Sequence, residues 1–224
     1  MEHLQQKYCF SLLKKFNIPI ETIIDVGVFV DTPVLRSFFP DKTHILFEPI
    51  EEFRPIIENT YRDIQHKLYS FPLYEEDCEV KMKISLDENK KIKHSRITKE
   101  DCKNFRVMQA KKLDSVLKDT DFKKPYFLKL DVDDAELEIL KGAVETLKYC
   151  SVIQIEMHPR DFLERSNFIE QHGFKLFDIV DNIYYEGQLR QFDMFFVKRD
   201  ILIEYNRDFE SMKLFDPNLW KSFR

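Results

Sequence analysis

The stretch IIDVGVFVDTPVL, residues 23–35, joins an apolar run to the start of a helix through a loop that holds one glycine. Its first half is rich in β-branched residues and ends at Gly27, as a buried parallel strand should. In its second half Asp31 or Thr32 is the N-cap, Pro33 takes the first helical position, and Pro40 closes the helix. A strand running into a helix through a short loop is the first unit of a parallel sheet. Folds that bind cofactors at such a junction usually place two or three glycines there, whereas this loop carries Phe29 and Asp31.

The same alternation continues along the chain. THILFEP (43–49), YFLKLDV (126–132) and SVIQIEMHP (151–159) read as further buried strands, and EEFRPIIENTYRDI (51–64) as the helix after the second of them. HKLYSFPLY (66–74) and EVKMKISL (79–86) supply a third strand and an additional one, and KLDSVLKD (112–119) a short helix. DAELEILKGAVETLKYC (134–150) is the clearest helix, with Leu137, Leu140, Val144 and Leu147 on one stripe. RDFLERSNFIEQHGF (160–174) is a helix stopped by Gly173 at C′. FKLFDIV and FDMFFVKRD then pair as a closing hairpin around YYEGQ, residues 184–188. NKKIKHSRITKEDCKNF (89–105) lacks an apolar period and reads as a mobile surface loop. The pattern predicts an α/β fold with a mostly parallel sheet and right-handed crossovers. With neither repeat nor Gly/Ser/Pro linker, one domain spans 1–224. It comprises a docked N-terminal helix (1–20, apolar stripe Leu4, Tyr8, Leu12, Phe16), a core (21–200), and a tail (201–224) expected to be helical with Trp220 packed on the body.

Composition excludes several classes. With 43% hydrophobic residues the chain can build a sizeable core, so global disorder is out. A net charge of −5 argues against nucleic acid, which needs a basic face; KKIKH (90–94) is a solvated loop. Cys9, Cys78, Cys102 and Cys150 are too scattered for a metal cluster or a disulfide framework, which fits a reducing compartment. No run approaches the roughly 18 apolar residues of a membrane span, and the N-terminus lacks the pattern of a signal peptide. The expectation is a soluble, cytoplasmic protein.

Ligands of open α/β sheets bind beyond the carboxyl ends of the strands. That rule selects Asp25-Val26-Gly27, Glu48-Pro49, Asp131 to Asp134, and Glu156-Met157-His158. Each strand ends in an acid although its interior is apolar apart from Lys129 and Gln154. Such carboxylates are costly to bury unless they face ligand, cation or water. Glu48 follows Asp25 at about the 20-residue spacing of an acid that accepts hydrogen bonds from a ribose. A dinucleotide needs G-x-G-x-x-G for its diphosphate, which DVGVFVD does not supply. A cofactor with an adenosine, an amine and a sulfonium suits this site better, which points to S-adenosylmethionine.

Together IIDVGVFVDTPVLRSFFPDKTHILFEPIEEF, LKLDVDDAELEILKGA, VIQIEMHP and FDMFFVKRD resemble the FkbM-type family of S-adenosylmethionine-dependent methyltransferases, in order, from about residue 22 to 199. The block LKLDV-x-x-AELEILKGA is the most specific part. The resemblance implies a Rossmann-like class I methyltransferase fold: a mostly parallel seven-stranded sheet with helices on both faces and an antiparallel closing strand. It also implies O-methylation of hydroxyls on sugars, surface glycans or natural products. Asp25 and Gly27 match the start of the cofactor loop, Glu48 the ribose acid, and Asp131 the acid near methyl group and acceptor. Glu156 matches the acid closing the fifth strand, and Asp193 the aspartate of the last. Two positions depart: the family usually has Gly at Asp31, and Glu-Gly or Gln-Gly at Asp133-Asp134. Aspartate tolerates left-handed backbone better than most residues, but at Asp31 its charge would lie near the methionine carboxylate.

Methyl transfer needs an aligned acceptor oxygen and removal of its proton. Asp131 and His158 are the candidates, since adjacent strands bring their ends together. Lys129 shares a strand face with Asp131, and Glu156 one with His158. Bland readings stand beside these: Lys129–Asp131 as a buried ion pair, and His158 as a loop cap. Asp131, Asp133 and Asp134 could hold Mg²⁺, but Asp133 or Asp134 equally serves as an N-cap, and the metal-free reading is preferred. His94, Ser95 and Arg96 of the KHSR segment either fold over the acceptor or lie in a plain exposed loop. The leading function is therefore O-methylation of a carbohydrate or other small hydroxylated acceptor. A catalytically silent binding protein on the same fold and an NAD-dependent oxidoreductase are the alternatives.

Overall fold

The computed structural model describes residues 3–99 and 104–204. Its central sheet contains β1 (Thr22–Val26), β2 (Thr43–Phe47), β3 (His66–Tyr69), β7 (Tyr126–Leu130), β8 (Cys150–Met157), β9 (Phe174–Tyr185) and β10 (Gln188–Lys198), in the order β3-β2-β1-β7-β8-β10-β9. The pairs among β3, β2, β1, β7 and β8 are parallel, and β10 runs antiparallel to both β8 and β9. The strand order turns at β1 and β7, which makes their carboxyl ends the expected site crevice.

The register across that crevice decides what the site is made of. Ile23, Phe127 and Val152 occupy one face and belong to the core under α1 (Leu4–Lys15) and α2 (Pro33–Phe38). Two residues further along the same face, Asp25, Lys129 and Gln154 pair strand to strand as a polar row. Beyond them, by the period of two, come Gly27, Asp131 and Glu156. The opposite face stays apolar throughout, with Ile24, Val26, Leu128, Leu130, Ile153, Ile155 and Met157 in the main core. One face therefore changes from core to site within two steps along each strand.

Several expected elements take a different form. The stretch 134–150 is two helices, α5 (Glu136–Lys141) and α6 (Val144–Leu147). The chain breaks at Gly142, where a side chain would meet the Tyr74 carbonyl oxygen at 2.2 Å. The buried residues there are Ile139, Leu140, Ala143 and Leu147, so Leu137 and Val144 leave the core stripe. Helix α1 docks as expected, but through Cys9, Phe10 and Leu13, while Leu4 is 65% exposed. Phe10 sits among Phe38, Phe39, Phe127 and Phe195, which fixes the helix by aromatic packing.

The largest departure lies in 89–105. In place of a loop, β5 (Ile92–Ile97) and β6 (Phe105–Ala110) flank β4 (Cys78–Leu86) in a three-stranded antiparallel sheet. Its inner face packs Val80, Met82, Ile84 and Ala110 on Ile50 and Phe53, just after β2. Periodicity is weak there because only β4 is buried at alternate positions; β5 is polar between its two end isoleucines, and its Lys93, His94 and Ser95 line the cavity described below. Cys102 and the C-terminal tail, including Trp220, lie outside the described residues. No helix among the described residues is long and apolar enough to cross a membrane.

Gly142 has φ −79°, so alanine there meets no backbone penalty and tests the contact with Tyr74 alone. We expect Gly142→Ala to cost about 1–3 kcal/mol through overpacking, read as a lower urea midpoint with an unchanged slope. An unchanged midpoint would show that the 72–75 segment yields freely.

Candidate functional site

A cavity of about 350 Å³ opens at the carboxyl ends of β1, β2 and β7. Phe47, Phe71, Leu73 and Ile139 form an apolar wall, Glu48 and Asp131 bring carboxylates, and Lys93, His94 and Ser95 of β5 close the far side. A second cavity of about 280 Å³ lies over β7, β8 and β10 under the start of α1, lined among others by His3, Lys129, Gln154, Asp181 and Asp193. Gly27, Phe29, Asp131, Glu156 and Gln191 line both, so the two are lobes meeting at the switch point.

Glu48 is 5% exposed, and both its oxygens are anchored. Oε2 accepts the Phe29 N–H at 2.8 Å and Oε1 the Ile50 N–H at 2.9 Å. Burial pushes its carboxyl up to about 7, against those two N–H groups and the Lys129 charge. Phe29 completes this arrangement in left-handed backbone (φ 56°), its ring edge-on to Phe53 at 4.7 Å. A bulky residue at positive φ is costly and concentrates at functional sites.

At the switch point the Lys129 ammonium is held by Asp25 at 3.2 Å, Asp131 at 3.3 Å and the Gly27 carbonyl at 3.0 Å. Burial works against that charge, but Asp25 and Asp131 more than offset it and raise its pKa above the ordinary lysine value. Asp25 is wholly buried, lines neither lobe and anchors Lys129. Gly27 has φ 86°, and a Cβ there would meet the Asp131 carbonyl oxygen at 1.8 Å. Only glycine lets the ends of β1 and β7 approach this closely.

Asp31 lines the second lobe but does not cap α2; Thr32 stands at the N-cap without a side-chain bond. Asp31 instead grips Arg36 in a bidentate pair at 2.7 and 2.8 Å, which removes the charge conflict with a cofactor. Nor do Asp133 and Asp134 cap α5, whose N-cap is Ala135. Both aspartates are left-handed (φ 57° and 91°), and each meets a basic side chain: His94 lies 3.6 Å from Asp133, while Asp134 binds Arg96 at 2.8 Å and also Arg160. With Asp131 on Lys129, the three acids considered for Mg²⁺ point to separate partners and form no common ligand set. Asp134, His158 and Asp161 do come within 4.8 Å of one another. Arg96, Arg160 and Arg165 already take those carboxylates.

His158 lines neither lobe. β8 ends at Met157, so the alternation that would align His158 with Glu156 stops one residue short. The backbone N–H of His158 reaches Asp161, and burial lowers the ring's pKa. Arg96 also leaves the main cavity to bind Asp134, whereas its neighbours His94 and Ser95 stay in the lining.

Three participants were missed in sequence. Glu136 is fully buried, accepts the Val132 N–H at 3.1 Å and pairs with Arg165 at 2.9 Å, fixing the 131–135 loop from behind. Its signal was an acid in the most specific block of the chain. Gln191 donates to Glu156. Phe29 was noted only as out of place.

The sequence matches the family described as Methyltransferase FkbM domain over residues 25–176. No curated protein matches it significantly. Among solved structures, an rRNA methylase from Streptococcus thermophilus shares 9% identity over 87% of this chain and 94% of that one, with a TM-score of 0.50. Magnesium protoporphyrin IX methyltransferase from Synechocystis PCC 6803, solved with bound SAM, shares 9% over 87% and 79%, with a TM-score of 0.47. At such identity the likeness is one of fold. The fold is the Rossmann-like class I methyltransferase fold.

Burial, then Asp131, Glu136, Asp133 and Asp193, push the Glu156 carboxyl from 4.5 up to about 9. Between those values the folded chain binds a proton that the unfolded chain has released, so stability is full at the acid end and falls as pH rises. Glu48 (about 7) and Asp193 (about 6) act with the same sign but finish earlier. We expect the melting temperature to fall between about pH 7 and 9, and Glu156→Gln to flatten that window. An equal fall in wild type and variant would refute the assignment.

Proposed function

This chain belongs to the FkbM methyltransferase family, and on that premise we propose that it transfers a methyl group from S-adenosylmethionine to a hydroxyl of a carbohydrate or similarly hydroxylated small acceptor. The observation that carries the reading is Glu48: a buried carboxylate, anchored by two backbone N–H groups, at the edge of an apolar-walled cavity. Each carboxylate oxygen keeps a lone pair for a ribose hydroxyl, while Phe47, Phe71 and Leu73 offer the apolar surface that an adenine needs. A diphosphate fits poorly, because the loop has one glycine and the Phe29 side chain lines the space where phosphates would need N–H groups.

When bound, the cofactor supplies a methyl group on a positively charged sulfur, already activated for displacement. The chain has to orient an acceptor and take one proton. Asp131 stands where the lobes meet, with its side chain half exposed, and is the group that takes the proton. Lys129 is a positioning residue that holds Asp131 toward the junction. Glu156, Gln191 and Asp193 receive the acceptor's remaining hydroxyls, and His94 and Ser95 approach from β5. His158 plays no direct part, since its ring lies outside both lobes. The carboxylate-lined second lobe and the net charge of −5 oppose a nucleic-acid acceptor.

S-adenosylhomocysteine at about 100 times its dissociation constant stabilises by about 2.7 kcal/mol, a rise of about 5–10 °C for a chain of this size. We expect that rise, and none with NAD; the reverse would overturn the reading. Glu48→Gln loses charge-assisted bonds worth about 1.5–3 kcal/mol, so affinity for S-adenosylhomocysteine should fall about 10- to 150-fold. Calorimetry showing unchanged affinity would move the adenosine elsewhere.

Asp131→Asn should lower kcat by about 10²–10⁴-fold with little change in cofactor affinity, and His158→Gln should leave kcat near wild type. Full turnover in Asp131→Asn would reassign the base.

A further inference from the structure

The polar atoms left without partners in the second lobe are of one kind. Glu156 is 6% exposed and Gln154 2%, yet Glu156 Oε2 and Gln154 Oε1 accept no hydrogen bond among the described residues. Both residues line the second lobe, and both unpaired atoms are acceptors. A ligand that satisfies them must bring donors, because a buried acceptor left unmade costs about 1–3 kcal/mol.

Charge sharpens the requirement. The basic side chains at this lobe are already engaged: Lys129 is shared between Asp25 and Asp131, Arg36 is on Asp31, and His3 is on Asp181 at 3.0 Å. Arg165 reaches only the backbone carbonyl of Glu156 and gives its charge to Glu136 and Asp161. Glu156 and Asp193 stand opposite each other in the β8–β10 register, and the side chains bonded to them are neutral amides, Gln191 and Gln154. Two neighbouring carboxylates with amide partners form a pocket for positive charge. A neutral hydroxyl answers the hydrogen-bond deficit but leaves the charge, and an anion worsens both.

We propose that the acceptor carries an ammonium group, seated between Glu156, Asp193 and the Gln154 carbonyl, next to the hydroxyl that is methylated: an amino sugar or a similarly hydroxylated amine. This rests on the methyltransferase reading and narrows its substrate class. The ammonium is a handle and not the methylated atom. Its three N–H groups match the three acceptors that surround it. The neighbouring acids that help hold Glu156 and Asp193 above their ordinary pKa values would favour a bound cation, whose charge draws both groups back to carboxylate, whereas burial opposes it.

The test is binding in saturating S-adenosylhomocysteine, which leaves the cofactor's own ammonium present and isolates a second one. Glucosamine, glucose and glucuronate are titrated by calorimetry near neutral pH. We expect glucosamine to bind at least about tenfold more tightly than glucose, with glucuronate weakest. Glu156→Gln and Asp193→Asn, singly and combined, should bring glucosamine and glucose within about twofold of each other. The S-adenosylhomocysteine melting shift in each variant shows that the fold and the first lobe survive. Equal binding of glucosamine and glucose, no detectable binding of glucosamine, or a preference that persists in the double variant would overturn the proposal. Loss of the S-adenosylhomocysteine shift in the wild type would instead strike the methyltransferase reading itself.

Discussion

The buried ammonium of Lys129 is the constraint from which the site is built. It ties the end of β1, through Asp25 and the Gly27 carbonyl, to the end of β7, through Asp131. Stripping one partner from a buried ion set generally costs about 3–5 kcal/mol, because the rest is left uncompensated. That penalty ties Asp25, Lys129 and Asp131 into one unit across the two strands. Gly27 follows from it: strands drawn this close leave no room for a side chain at the crossing.

On one side of this tie lies a core of aromatic and β-branched residues; on the other lie carboxylates whose pKa values are raised. Glu48, Glu156 and Asp193 are each buried more deeply than their partners can compensate. Such groups lower stability in the empty protein and gain most from a ligand that brings donors or charge. The first lobe gives Glu48 two backbone N–H groups. The second gives Glu156 and Asp193 amide side chains as partners. The lobes therefore differ in what they ask of a ligand, although five residues line both.

The main parallel strands, the closing hairpin and the acid-tipped strand ends are legible because they rest on local patterns: β-branched runs, period-two alternation and chain spacing. Asp25, Glu48, Lys129, Asp131 and Glu156 fall where those patterns put them. What escaped depends on contacts between distant segments. Between Ile92 and Ile97 β5 is polar, and its place beside β4 and over the cavity is what makes it a strand. The break at Gly142 is imposed by Tyr74, far away in sequence, and no helical period reports it. His158 follows the end of β8 and lies outside the lining of both lobes, so the strand's alternation does not place its ring. Asp25 sits deeper than Asp131 and pairs with Lys129, a contact that only the alignment of β1 with β7 reveals.

The two places where the chain departs from its family's glycines show how the site keeps its charge in order. At Asp31 the backbone is not left-handed; that conformation belongs to Phe29, held by its N–H bond to Glu48. Asp31 is free to bind Arg36, and the negative charge it adds is cancelled beside the loop. At Asp133 and Asp134 the left-handed backbone is real, and aspartate is among the side chains that tolerate it. There the carboxylates meet His94, Arg96 and Arg160, which fasten β5 and the turn after β8 to the end of β7. The two aspartates thus make this corner a charged clasp. With Asp31 on Arg36, Asp134 on Arg96 and Arg160, and Asp133 beside His94, the acids of the cavity whose side-chain partners are amides are Glu156 and Asp193.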